Sequence, residues 1–398
     1  MQLPILPAAP RAALPRRQWL AFVGLGTLLT ACGGSGGEPL LLDPEQADLQ
    51  SRASDLVTEG LVGTAVGWAD VREVRTAVAG LRRLGGRALL EPGDLMAIGS
   101  NTKAMTACVA ASVVDQGLLR WDSTLAQVLP ELARDALPAY RHITLRALLD
   151  HRAGVMAFTA PADIGLFEQQ AGEPVLVGLQ QPAEVEAFFL RWLLQQPPIP
   201  ATGALPGYAY SNAGYALAAR MLRAATGLGW ADLLRQRVAQ PLGLALFVGA
   251  PLRHGGHQPQ GHEVVGGRLQ PQALPEAPER AWFEILEPAG AVSLTVRDDA
   301  LWLQWHLRAL RGEATPLPRS YVQALQGLGR TPADNYVLGW VAQTEQGSGW
   351  LVHTGQTLGF QAVSVVALDG SRAGLAHSNT ATDDSLVRLF EAVTGLLS

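Results

Sequence analysis

Two short, largely apolar and β-prone runs lie near the start of the chain, at 64–69 and 74–79, joined by a tight polar link. Such runs bounded by a tight turn predict paired β-strands. A helix beginning near residue 46 precedes them, and Leu89-Leu90 leads into a turn at Pro92-Gly93. From Ser100 to about Gly117 the pattern changes: Met105, Val109 and Val113 recur at helical spacing and predict an apolar helix. Residues 120–285 read as helical segments broken by Pro and Gly clusters, with a loop-rich stretch at 250–280. Strands return at 360–368 and 373–378, joined through Asp369-Gly370, a hairpin dipeptide. A closing helix fits 383–397, capped by Thr382 or Asp383. The order predicts an α/β architecture of the α+β type. Both chain ends build one antiparallel sheet flanked by helices, with a mostly helical lobe inserted at roughly 120–285.

The first residues read as a leader rather than as part of that fold. Residues 1–18 carry Arg11, Arg16 and Arg17 and no acid, and an apolar run then extends from 19 to 31. It is shorter than the roughly 20 residues a membrane span needs and suits a signal-peptide core. Leu29-Thr30-Ala31-Cys32 resembles a bacterial lipobox, which implies a lipoprotein signal peptide at 1–31 and acylation of Cys32. The domain expectation is then a flexible tether at 32–45 and a catalytic domain at 46–398, held at the cell envelope by the lipid. Arg16-Arg17 loosely resembles a twin-arginine export signal. Gly33-Gly34-Ser35-Gly36-Gly37 matches the G-x-S-x-G pattern but has neither the strand before it nor the helix after it that a nucleophile elbow requires.

Composition narrows the class. Hydrophobic residues at 48% against 16% charged describe a well-buried globular chain. A net charge of -5 offers no case for nucleic acid. With Cys32 modified, Cys108 is the only other cysteine, so no intrachain disulfide can form. Cys108 sits in the apolar helical stretch and reads as a buried, inert thiol. His254, His257 and His262 lie in a Gly/Gln/Pro loop without the supporting shell a zinc site needs, so no metal and no cofactor are expected. His151 and His377 read as packing or hydrogen-bonding residues. A monomer is expected.

One side chain stands apart. Of the 30 basic residues, Lys103 is the sole lysine, three positions after Ser100. Arginine stays charged above pH 12, whereas a desolvated lysine can lose its proton near neutrality. Residues at i and i+3 share a helix face, and both burial and the helix N-terminus disfavour a cation. A neutral amine beside a hydroxyl is an activated nucleophile. Two further segments complete a pattern: Tyr210-Ser211-Asn212 on the approach to a helix, and His353-Thr354-Gly355 on a predicted strand.

In this order the three motifs resemble the serine β-lactamase and penicillin-binding superfamily, in its class C branch. That branch includes class C β-lactamases, D-Ala-D-Ala carboxypeptidases, D-aminopeptidases and esterases. Leu148-Leu149-Asp150-His151-Arg152-Ala153-Gly154, Pro288-Ala289-Gly290-Ala291-Val292-Ser293 with Asp298, and Tyr336-Val337-Leu338-Gly339-Trp340 resemble further family segments. The resemblance covers most of 60–380 and implies a site between the sheet and the helical lobe. It implies that Ser100 attacks the carbonyl and that Lys103 takes its proton together with Tyr210. Asn212 would bind the substrate amide and Lys103, and His353 would face the site. Thr354 and Gly355 would contact substrate, and the N–H groups of Ser100 and Gln356 would form the oxyanion hole. Most class C β-lactamases carry lysine at the position of His353, where its charge anchors the β-lactam carboxylate. A histidine is mostly neutral at pH 7. The expectation is therefore an envelope peptidase or esterase, with a β-lactamase as the alternative and a non-catalytic module that binds penicillin or muropeptides as a third.

Overall fold

The computed structural model describes residues 44–171, 179, 182–199, 207–276, 279–327, 335–345 and 348–397. The predicted leader, Cys32 and most of the tether lie outside the described residues. Helix α1 runs over Pro44–Thr58, starting two residues inside the predicted tether, with proline at the first position that tolerates it. The predicted hairpin follows as β1 (Gly63–Ala69) and β2 (Val74–Gly80). Short strands β3 (Met96–Ala97), β4 (Leu246–Val248), β5 (His262–Val265), β6 (Arg268–Pro271) and β7 (Val292–Leu294) come next. The C-terminal part supplies β8 (Tyr336–Val337), β9 (Trp340–Glu345), β10 (Ser348–Thr357), β11 (Phe360–Ala367), β12 (Ala373–Ser378) and β13 (Thr380–Ala381).

Seven strands form the main sheet in the order β2-β1-β12-β11-β10-β9-β8, every neighbour antiparallel. The β1–β12 pairing, Thr64 against Ser378 through Ala69 against Ala373, joins the two chain ends as expected. One face is covered by α1 and the closing helix (Asp383–Leu396), through Leu49, Ala53, Leu56, Leu389 and Val393. The other face carries the larger core, which continues into the helical lobe. A sheet covered on both faces has no solvent side to mark with polar residues. All eight positions of β11 are buried, which explains why its alternation is only partial.

The stretch at 250–280 is not all loop. It holds the hairpin β5–β6, turned through Gly266 and Gly267 at positive φ, and β5 pairs in parallel with β13. The closing helix is capped by Thr382, whose hydroxyl accepts from Ser385 N–H while Ser385 returns the bond. Helix α2 (Thr102–Asp115) is buried almost all round, as a central helix must be when apolar on every face.

Candidate active site

Three backbone devices assemble the site. Gly99, at φ 52°, starts a single 3₁₀ turn, Gly99–Asn101, that delivers Ser100 to the start of α2. Strand β10 pairs with β9 only through Val352, so from His353 onward one edge is open. The β10–β11 hairpin turns at Leu358 and Gly359, both at positive φ, as a type I′ turn requires. Counting back from that turn, alternate residues of β10 bond β11, and Gln356 directs its N–H to the open edge. There it meets the serine turn. A Cβ on Gly99 would lie 2.5 Å from Gln356 N, and one on Gly355 would lie 2.8 Å from Ser100 N. The two N–H groups predicted for an oxyanion hole are thus brought together by two glycines that allow the backbones to touch.

The side chains complete it. Lys103 Nζ lies 3.0 Å from Ser100 Oγ, 2.8 Å from Asn212 Oδ1 and 2.8 Å from the Ala289 carbonyl. Asn212 is the first residue of helix α3 (Asn212–Thr226), capped by Ser211. Its amide nitrogen donates to Phe158 O at 3.0 Å, which fixes the oxygen toward the lysine. Lys103 is fully buried, and burial drives its pKa well below the usual lysine range. The Tyr210 and Tyr215 rings, 4.8 and 5.4 Å from Nζ, favour a cation but do not replace the lost water.

A neutral amine has two N–H bonds and one lone pair. The carbonyl oxygens of Asn212 and Ala289 can only accept, so they take both N–H bonds, and the lone pair is left for Ser100. Tyr210 Oη lies 2.8 Å from Ser100 Oγ, and burial raises the phenol, keeping it protonated. One order of protons satisfies every group: Tyr210 O–H donates to Ser100 Oγ, and Ser100 O–H donates to Lys103 Nζ. This arrangement can activate a hydroxyl toward a carbonyl.

His353 is buried. Its Nδ1–H donates to Thr354 O at 2.7 Å, and its Nε2 lies 3.3 Å from the Tyr336 hydroxyl. Burial pushes it down to about 3. A ring lowered in this way is neutral near pH 7. Thr354 is half-buried on the same strand.

Three contacts were not legible beforehand: the carbonyls of Ala289 and Phe158, and the Tyr336 hydroxyl. Ala289 and Tyr336 sit in family-like segments that pointed to the region, but nothing in the sequence marks which carbonyl faces a lysine. The loop histidines are not gathered. His254 meets the Phe247 ring edge-on, His257 meets Gln258, and His262 uses both nitrogens on Asn379 O and Leu84 N–H. Cys108 is buried in α2, and burial raises its thiol.

Burying neutral imidazoles links stability to pH. Burial is the largest cause for His353 at about 3, His306 at about 4, and His151 well below its usual value. From pH 6.5 down to about 4 the unfolded chain binds protons at these rings and the folded chain does not. Stability therefore falls with pH, by up to about 1.4 kcal/mol per pH unit per ring. Urea midpoints should drop steadily between pH 6.5 and 4; a level series contradicts the neutral rings.

Known proteins are similar to this chain. A family model described as Beta-lactamase matches residues 49–394. "Penicillin-binding protein 4" of Amycolatopsis lactamdurans is 24% identical over 368 residues, covering 89% of this chain and 91% of that protein. "Lovastatin esterase" of Penicillium rubens is 29% identical over 164 residues, 38% of each chain. A D-stereospecific amidohydrolase from Streptomyces sp. superposes with a TM-score of 0.65 at 22% identity, over 88% of this chain and 98% of that one. That likeness shows the fold.

Proposed function

The chain belongs to the β-lactamase family and is a serine hydrolase of the β-lactamase and penicillin-binding superfamily; we propose that it acts through an acyl-enzyme on Ser100, on peptide or ester substrates. Ser100 Oγ attacks the carbonyl carbon while its proton passes to the Lys103 lone pair. The carbonyl oxygen gains the electron pair and is held by the N–H groups of Ser100 and Gln356, each worth about 3 kcal/mol in the transition state. The bond to the leaving group then breaks. Tyr210 gives that group its proton and recovers one from the Lys103 ammonium. Asn212 keeps the amine aligned throughout. Water hydrolyses the ester by the same transfers in reverse.

The observation that carries the substrate preference is the state of His353. A neutral ring with both nitrogens engaged inside the protein offers a β-lactam carboxylate no charge. Amides and esters do not need that anchor. A panel of short aryl esters, D-Ala-D-Ala peptides and a chromogenic cephalosporin tests the reading. Ester or peptide turnover should exceed cephalosporin turnover; rapid cephalosporin hydrolysis alone would favour a β-lactamase. Mass spectrometry after fluorophosphonate treatment should place the adduct on Ser100. Folded protein without an adduct would point to a binding module.

A further inference from the structure

Left-handed backbone is rare outside glycine and is strained. Among the described residues four non-glycines adopt it: His151, Phe158, Leu338 and Leu358. Phe158 O holds Asn212, and Leu358 turns the strand that carries Gln356. Leu338 N–H donates to Asp150, the neighbour of His151. His151 itself has no part in the chemistry described above, yet it touches the Tyr210 segment three times. Its carbonyl accepts Ala209 N–H at 2.7 Å, its Nδ1 accepts Ser211 N–H at 3.1 Å, and its ring lies against the Tyr210 ring with centroids 4.2 Å apart.

The tautomer follows from those partners. A backbone N–H can only donate, so Nδ1 is bare and the proton is on Nε2. Nε2–H then donates to the Tyr336 hydroxyl at 3.0 Å. Tyr336 in turn faces His353 Nε2, with Tyr215, whose own hydroxyl donates to Leu149 O, alongside. The imidazole is thus fixed at both nitrogens and packed under Tyr210, within a cage of Tyr208, Tyr210, Tyr215 and Tyr336.

We infer that His151 is a positioning residue of the reaction, holding the Tyr210 phenol where it meets Ser100 Oγ and the leaving group. This rests on the role given to Tyr210 above. Its loss should therefore be felt through proton delivery. A 4-nitrophenolate leaves with little help, whereas an alkoxide must be protonated as it departs, and a positioned acid contributes about 10²- to 10⁴-fold. A displacement near 1 Å can cost about 10²-fold of such an effect.

The experiment compares kcat/KM for a 4-nitrophenyl ester and an alkyl ester of one acyl group, because kcat/KM reads acylation whatever the later step. His151→Asn is the variant of choice, since Asn tolerates the left-handed backbone and its Oδ1 can still accept Ser211 N–H. We expect the 4-nitrophenyl ester to fall less than about threefold and the alkyl ester by about 30- to 100-fold. Tyr210→Phe should show the same pattern, larger. Equal losses on both esters for His151→Asn, beside a leaving-group-dependent Tyr210→Phe, overturn the positioning role. A Tyr210→Phe variant without leaving-group dependence overturns the role of Tyr210 and this one with it. Should His151→Asn not fold, ¹⁵N spectra of the unaltered protein decide. His151 must appear as the neutral Nε2–H tautomer at pH 6–8, and an Nδ1–H or doubly protonated ring overturns the inference.

Discussion

Lys103→Arg should abolish acylation of Ser100. The expected loss is about 10³-fold or more in ester turnover, within the range of removing a general base, together with disappearance of the Ser100 fluorophosphonate adduct. Arginine can still donate to Asn212 Oδ1 and Ala289 O, so the hydrogen-bond acceptors remain satisfied. What it lacks is a lone pair, because guanidinium does not deprotonate in proteins. It also forces a permanent cation into a place where the described residues provide the lysine with no carboxylate partner, so some stability should be lost as well. Lys103→Met separates the two effects, since it removes the amine without burying a charge. It leaves Asn212 Oδ1 and Ala289 O without their donor, at about 1–3 kcal/mol each, so the folded fraction is measured beside turnover, which should be lost equally. Retained turnover in either variant would show that the amine is not the base.

The same lysine shows how much of the site could be read before the fold. A chain that uses arginine at every other basic position marks Lys103, and the i+3 spacing to Ser100 supplies its partner. Tyr210, Asn212 and His353 followed from short motifs because side-chain identity carries their chemistry. The Ala289 and Phe158 carbonyls did not, since every residue has a carbonyl and only the fold selects one. His353 was legible as a residue but not as a buried ring, for strand periodicity does not say which neighbour covers a face. The sheet shows a parallel division. Strands β1, β2, β11 and β12 were visible because short β-prone runs and turn residues coincide. The pair β5–β6 was not, because Val264 and Val265 are exposed and β5 finds its parallel partner at Thr380–Ala381, far along the chain.

Gly355→Ala should be nearly as damaging as loss of the lysine, for a purely steric reason. The added methyl would sit 1.9 Å from Ile98 O and 2.8 Å from Ser100 N, and both are backbone atoms that cannot rotate aside. Either β10 or the serine turn must move. The strand is held by its ladder to β11, so the turn Gly99–Asn101 yields, carrying Ser100 Oγ and the Ser100 N–H away from Gln356. Misplacing one oxyanion donor costs about 10²- to 10³-fold in kcat, and overpacking adds about 1–3 kcal/mol of instability. The folded fraction must therefore be measured beside the rate, by circular dichroism and active-site titration. Gly93→Ala is the matched control, because a Cβ there meets nothing within 4 Å. It should leave rate and stability unchanged. A Gly355→Ala enzyme within about threefold of wild type would mean that the contact between the strand and the serine turn does not set the geometry of attack.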